Sequence, residues 1–533
     1  MLKRLTSVDE IADAERRITE LIEAHAEWCY APGAGGAPVA LSRGEIDVHV
    51  AQGRLIFSCW TEKGVRSWRV RGWEWTGAKL TLEAARRAGA ERALLELVPR
   101  ASAKATNALI SAARRERAQR LAQLACSSIE GASVDSVALS AGARRAEPGR
   151  YARIVLRLNQ ERIAVTGVVT PKEVYEVDAF LSSTLIWFMR ASESARAALI
   201  WKLWLVADPE HIKTLAERVA LLRRELRRVI SLFEIDDEWQ VLKPVRCPEQ
   251  AELWTGALAS FRRPSQAEPG ETAARILALA PDAIDVVRAR HGETLRFNGL
   301  PFARVRRLMG TERVWFGVEG ASKRRLLDES TARDWDDLLA QLNEHRRADA
   351  SDHRHALYRS APEAWLESML RRDITRLDPG LRLAPLYAQF RASQGGAIAA
   401  ASRPVDLLAL RRDGRLVVIE LKVSEDREHV LQGVDYWRRV ETHRRSGSLA
   451  RAHLFGDAAI TDEPPLVYLV APTLRFHRAF QLLAHAIDPL IEIYRFDINE
   501  DWRAAGVRVM LRLRLDTISG SADLTLPSSP GRN

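Results

Sequence analysis

The chain has 533 residues, 47% of them apolar and 28% charged, with a net charge of +10. That length exceeds what one hydrophobic core organises, so three or four domains are expected, and the composition excludes a collagenous or wholly disordered chain. The basic balance suits a polyanionic partner, nucleic acid before others, although a GC-rich coding sequence also yields surplus arginine.

The four cysteines (Cys29, Cys59, Cys126, Cys247) form no CxxC or Cys/His cluster. A disulfide framework and a structural zinc are therefore not expected, and a reducing compartment is. The start, MLKRLTSVDEIADAERR, lacks the apolar core of a signal peptide. No stretch approaches the ~18 apolar residues of a membrane helix, and the runs at 185–189 and 203–207 are too short. A soluble cytoplasmic protein is the expectation.

In chain order, the patterns predict a helix over 7–27, a Gly/Pro-rich turn at 32–38, and antiparallel strands at 45–50, 54–60 and 65–70. A helix over 82–97 and a linker at 101–105 follow. Then come a basic helix over 106–125, with Arg114, Arg115, Arg117 and Arg120, and a loop over 131–149. A hairpin is expected from 151–158 and 162–166, turning at Asn159-Gln160, and helices dominate from 171 to about 260. The Pro-containing stretch 262–271 marks a boundary. Beyond it the patterns give a helix over 273–291, strands at 295–297 and 313–318, a helix over 333–347 and a polar linker at 348–355. From 357 to about 515 the order is helix, three strands, helix, strand, helix, strand; the Ser/Pro/Gly-rich end from 519 is expected to be disordered. The expected organisation is thus an α/β multidomain chain. It comprises a small α+β domain (1–100), a mainly helical domain with a β-hairpin (106–260), a small α/β region (270–347), a catalytic domain (357–517) and a tail (518–533). No internal repeat is visible.

The chemistry concentrates in Pro404-Val-Asp406-Leu-Leu-Ala-Leu-Arg-Arg-Asp413-Gly414-Arg-Leu-Val-Val-Ile-Glu420-Leu-Lys422. Asp413-Gly414 marks a turn between two aliphatic strands. A three-residue loop, Arg412-Asp413-Gly414, would put Gly414 at a left-handed position. Arg411 would then face Arg415, Leu408 would face Val418, and Asp406 would face Glu420. Directly opposed residues share a face with Cβ atoms ~5 Å apart, and Lys422, two further on, shares it too. A two-residue loop would instead pair Asp406 with Leu421 and separate the carboxylates. Two carboxylates this close need a cation or proton between them. They make a hard oxygen site suited to Mg2+ or Mn2+, beside a lysine able to position or deprotonate a water. The charges also interrupt Leu-Val-Val-Ile-Glu-Leu-Lys-Val, a strand whose composition suggests burial. The bland alternative is a salt-bridged strand end, and the facing Asp406 tells against it.

This segment resembles the PD-(D/E)xK nuclease superfamily, in particular its RecB-like and mismatch-endonuclease-like branches. The likeness covers the last third of the chain. It implies a restriction-endonuclease-like α-β-β-β-α-β core with a mixed central sheet. The family's first helix supplies a glutamate; in Pro362-Glu363-Ala-Trp-Leu366-Glu367-Ser-Met-Leu370, Glu363 matches best and Glu367 is the close alternative. Gln432 and Tyr436 match a Gln-x-x-x-Tyr helix, with Val430, Val434 and Trp437 on the opposite, buried face. Pro404-Val405 departs from the family's usual Gly-Arg. The resemblance implies that Asp406, Glu420 and the Leu421 carbonyl hold Mg2+ (or Mn2+) and that Lys422 orients the attacking water. Glu363 would bind a second metal or a metal-bound water, and Gln432 would touch the scissile phosphate or a water. DNA is the implied substrate, with RNA left open; protein partners or a homodimer are compatible. The rival readings are a scaffold or nucleic-acid-binding protein on an inactive nuclease fold, and a nuclease subunit of a repair or defence complex.

Lesser signals complete the reading. Lys63, Arg66, Trp68, Arg69, Arg71, Trp73, Trp75 and Lys79 interleave base and aromatic, suggesting either base stacking or, more ordinarily, core tryptophans. The stretch 72–79 only approaches a phosphate-binding loop, since Ala78 stands where lysine is required. Basic runs at 114–120, 223–228, 304–307 and 323–325 suit phosphate contacts or plain solvated faces. His443 and His453 read as structural or surface residues, and Asp236-Asp237-Glu238 as a helix end or loop.

Overall fold

A computed structural model describes residues 3–32, 39–61, 64–77, 79–86, 91–99, 103–141, 148–170, 176–194, 200–236, 240–254, 268–289, 292–308, 311–318, 324–383, 387–390 and 405–515. The chain is mixed α/β with four sheets. It divides into two compact units, Met1–Ala216 with Arg228–Cys247, and Glu217–Arg227 with Pro248–Thr525. The proposed turn at 33–38, Lys63, Ala78, Pro404 and the tail beyond 515 lie outside the described residues. Among the described residues no helix is long and apolar enough to cross a membrane.

The first unit opens with the helix Val8–Glu23, started by a Ser7/Glu10 capping box and burying Ala14, Ile18 and Ile22. It packs on an eight-stranded antiparallel sheet. The helix expected over 82–97 is instead two strands, Leu80–Arg86 and Glu91–Pro99. Leu80 pairs with Leu97 and Leu82 with Leu95, all fully buried. That alternation prevails over the helix preference of the Ala/Arg/Glu residues between them. Trp68 and Trp73 are core residues of this sheet, 3% and 7% exposed, so the bland reading of the tryptophans holds for these two.

The helix Ala103–Ser127 then leads into a six-stranded sheet. Two expectations fail here. The loop expected over 131–149 contains the edge strand Ser133–Ala141. The region expected to be mainly helical contributes the strands Ile200–Ala207, Ile230–Ile235 and Leu242–Val245. The first two are short apolar runs that pair in parallel, a context that buries both faces and erases the polar/apolar alternation. The predicted hairpin forms from Pro148–Leu158 and Glu161–Val168, with Asn159 at φ 57° in its turn.

The second unit contains a five-stranded antiparallel sheet over 284–326. The helix expected over 273–291 stops at Ala278, and its second half is the strand Ile284–Ala289. Segments assigned from sequence to the 106–260 domain belong to this unit. Arg223 N–H donates to the Ala486 carbonyl at 2.9 Å, and Trp254 meets Trp437 edge-on at 5.9 Å.

The C-terminal core comprises helix α1 (Pro362–Arg372), strands β1 (Tyr387–Phe390), β2 (Val405–Leu410) and β3 (Leu416–Leu421), and helix α2 (His429–Arg445). Strand β4 (Leu466–Pro472), the short helix α3 (Phe480–His485), β5 (Ile493–Ile498) and β6 (Val509–Arg514) complete it. The sheet order is β1-β2-β3-β4-β5-β6. The pairs β1/β2, β2/β3 and β5/β6 are antiparallel, and β3/β4 and β4/β5 are parallel. One face buries Leu407, Ala409, Val417 and Ile419 with Trp365, Leu366 and Leu370 of α1. The other buries Leu408, Leu410, Leu416 and Val418 with Tyr436 and Val440 of α2.

The six-stranded sheet of the first unit repeats this arrangement. Its order follows the sequence in reverse listing, 242–245, 230–235, 200–207, 161–168, 148–158, 133–141, and its pairs have the same senses. A helix precedes the first strand in each, and Val177–Ser194 crosses from third to fourth strand where α2 does in the second. The expectation of no internal repeat is thus corrected at the level of topology. The repeat hides in the sequence because it consists of strand directions rather than residue identities.

Candidate active site

The site is built by the β2–β3 turn. Arg411 N–H donates to the Arg415 carbonyl at 2.9 Å and Gly414 N–H to the Arg411 carbonyl at 3.1 Å, with Gly414 at φ 85°. Leu407 pairs with Ile419, Leu408 with Val418 and Leu410 with Leu416. This is the three-residue-loop register, and continued by one residue it sets Asp406 opposite Glu420. A Cβ at position 414 would also lie 2.8 Å from the Ala459 carbonyl oxygen, so glycine is required twice over.

Glu420 is 2% exposed. Its Oε1 accepts from Lys422 Nζ at 2.8 Å, while Oε2 is buried without a hydrogen-bond partner. Asp406 Oδ2 accepts from the Leu421 N–H at 2.9 Å. Burial pushes the Asp406 carboxyl up to about 6 against the Leu421 N–H and Lys422, with Glu367 adding to the rise. Burial, then the Asp406 charge, pushes Glu420 well above the usual carboxylate range. Burial works against the Lys422 ammonium, but Glu420, with Glu363 and Asp426, outweighs it and holds the lysine protonated. Lys422 Nζ also lies 3.6 Å from Asp426.

Glu363 sits in the first turn of α1, after Pro362 at the helix start and Ala361 at φ 40°. Buried Arg346 supports that strained start by donating to the carbonyls of Leu357, Ser360 and Ala361 at 2.7, 2.7 and 3.4 Å. Both α1 glutamates act on the site electrostatically, Glu363 on Lys422 and Glu367 on Asp406. Glu367 is 3% exposed and accepts from Arg296 at 3.2 Å. Among the described residues, no three His, Cys, Asp or Glu side chains converge into a metal-holding group. The Asp406–Glu420 pair therefore stands without a third carboxylate ligand. Its buried, unpartnered Glu420 oxygen and hard donors fit a divalent cation whose remaining positions go to a carbonyl and waters.

Gln432 is buried, donates to Glu428 at 3.2 Å and leaves its Oε1 without a partner. Gly433 lets α2 approach the sheet, since a Cβ there would meet Leu469 at 2.6 Å. The expected division of α2 into an open Gln432/Tyr436 face and a buried Val430/Val434/Trp437 face is not seen. All five are buried, because the helix is covered on both sides.

His429 was missed by sequence reasoning. It is 2% exposed, with Nε2 3.2 Å from the Glu420 carbonyl oxygen and its ring stacked on Phe476 at 5.9 Å. A carbonyl only accepts, so Nε2 carries the proton. Burial, reinforced by Lys422, pushes its pKa down to about 3 and keeps the ring neutral. No motif announces it because its partner is backbone. His443 is structural, its Nδ1 2.9 Å from Ser448 Oγ, and His453 is exposed. Asp236 accepts from the Gln240 N–H at 2.6 Å as a loop residue.

Comparison of the chain with protein-family models, curated proteins and solved structures finds no match.

Proposed function

We propose that residues 362–514 form a restriction-endonuclease-like core of PD-(D/E)xK type that hydrolyses phosphodiester bonds, in DNA before RNA. The observation that carries this reading is the Asp406–Glu420–Lys422 set at one strand end, with Glu420 Oε2 buried and unpartnered. Buried acids without partners are costly, and functional sites are where that cost is tolerated. Asp406, Glu420 and the Leu421 carbonyl would hold Mg2+ or Mn2+. The ion supplies charge neutralisation at phosphorus and a water acidic enough to attack.

The chain's own groups do the rest. Lys422, held between Glu420 and Asp426, is a fixed donor and serves to orient a water or a phosphate oxygen rather than to remove a proton. His429 fixes the Glu420 main chain from behind. Glu363 faces the charge of Lys422 and is the group to hold a second water. Full-length chain incubated with Mg2+ and labelled single- and double-stranded DNA tests the reading. Cleavage that requires Mg2+ and vanishes in Asp406→Ala is expected. No cleavage by the wild type would sink it in favour of a scaffold, and cleavage only beside a partner protein would favour a subunit role.

A further inference from the structure

The repeated core in the first unit differs from the C-terminal one at the positions that matter most. Register identifies them. Glu420 pairs with Leu469, which pairs with Arg495, three residues before the end of β5 at Ile498. In the first core Thr166 pairs with Leu205, which pairs with Leu232, three residues before the end of its strand at Ile235. Thr166 therefore stands where Glu420 does, Val168 where Lys422 does, and Arg153, which pairs with Thr166, where Asp406 does. Thr166 is satisfied internally, donating to the Ala152 carbonyl at 2.8 Å. This core has no acid set.

The same strand face has changed from apolar to basic. In the C-terminal core the pairs Leu408/Val418 and Leu410/Leu416 are buried beneath Leu449, Leu454 and Phe455. Their counterparts are Val155/Ala164 and Arg157/Arg162. Here Arg157 is exposed, and Arg153, Val155 and Arg162 are only half-buried. The opposite face, with Ala152, Ile154 and Leu156, packs on the helix Ala103–Ser127. Two arginines directly across an antiparallel pair repel, and the carboxylate of Asp135, 3.2 Å from Arg162, offsets only part of that. Arg153 adds a third positive charge two residues along, ~7 Å away. Such a row of fixed guanidiniums matches a polyanion that carries charge at regular intervals.

We propose that residues 103–245 are a non-cleaving counterpart of the 362–514 core, holding the phosphate backbone of duplex DNA on the arginine face of its hairpin. This rests on the nuclease reading for the choice of DNA, but its test does not use cleavage. Full-length wild type and R153Q/R157Q are titrated with a labelled DNA duplex in EDTA at several salt concentrations, read by fluorescence anisotropy. The double variant should bind about tenfold or more weakly, and the salt slope should shrink by nearly one per arginine lost. R157Q alone, at an exposed position where folding is not at stake, should show about half the change in slope, and R153K/R157K should restore binding. Equal affinity and slope in wild type and variants would overturn the proposal, as would a wild type that binds no duplex. Binding that weakens as expected in a chain that never cuts DNA would support this inference while sinking the hydrolytic one.

Discussion

The two six-stranded cores share strand order, strand sense and the placement of the crossover helix, yet three positions separate their chemistry. At the strand ends one carries Asp406, Glu420 and Lys422, and the other Arg153, Thr166 and Val168. The fold by itself therefore supplies only a place, the end of a parallel strand beside a hairpin. Charged side chains held there against their own solvation make it a candidate for catalysis. The largest effect should follow from erasing that difference. Glu420→Gln removes a carboxylate that nothing else replaces, so cleavage should fall by about 10^2–10^3-fold or more, measured as single-turnover cleavage with Mg2+. Cleavage persisting in Glu420→Gln would mean the acid set is not what distinguishes the cores.

The crossover helices differ next. In the first core the corresponding helix buries Ser182, Ser183 and Thr184. In α2 the 1%-exposed Asp435 meets Arg218, Arg438 and Arg439. Burial raises the Asp435 pKa, but Arg218, Arg439 and Arg438 outweigh it and hold the group far below the usual range. Asp435→Ala would leave buried guanidiniums uncompensated and should cost roughly 3–5 kcal/mol. Urea denaturation of the second unit's transition is the measurement. The sign with pH is fixed by a depressed pKa. The stabilisation is present above the unfolded carboxyl's pKa, so it should survive at neutral pH and be lost only in strong acid.

Asp406 gives the opposite sign and a smaller effect. Its folded pKa, pushed up to about 6 by burial, exceeds the unfolded value, so folding takes up protons. Stability from this group is fully present below the unfolded pKa and is lost as pH rises through about 6. At ~1.4 kcal/mol per pH unit, metal-free chain should lose about 2–3 kcal/mol between pH 4 and 7. Asp406→Asn should flatten that dependence, and added Mg2+ should reverse it. Comparable pH profiles in wild type and Asp406→Asn would show that the carboxylate is not held in the strained state described. The first core, with Arg153 in this place, contributes no such term.

Legibility in the sequence followed the range of the interaction. The β2–β3 register was readable because turn chemistry and alternation are local, and Asp413-Gly414 admits few loops. Leu80–Pro99 was misread because its strand state is decided by cross-strand leucines that local propensity opposes. The strands Ile200–Ala207 and Ile230–Ile235 were taken as helix because burial on both faces removes periodicity. The duplication was invisible since equivalent positions hold residues as unlike as Asp406 and Arg153. Arg296, which anchors Glu367 from another sheet, has no sequence signature at all.

His429 offers the smallest test and the one most specific to the comparison. It is the first residue of α2, and the first residue of the corresponding helix is Val177, a buried aliphatic. Only the C-terminal core thus ties its crossover helix to the carbonyl of the strand residue that bears the acid, through the 3.2 Å contact of His429 Nε2. His429→Phe keeps a ring against Phe476 and Phe480 but removes the donor, leaving the Glu420 carbonyl short of one partner. A stability loss of about 1 kcal/mol is expected, together with a fall in turnover larger than the fall in DNA affinity, because the bond positions Glu420 rather than the substrate. If His429→Phe lost affinity and turnover in equal measure, the histidine would be a packing residue. The two cores would then differ only at their three charged positions.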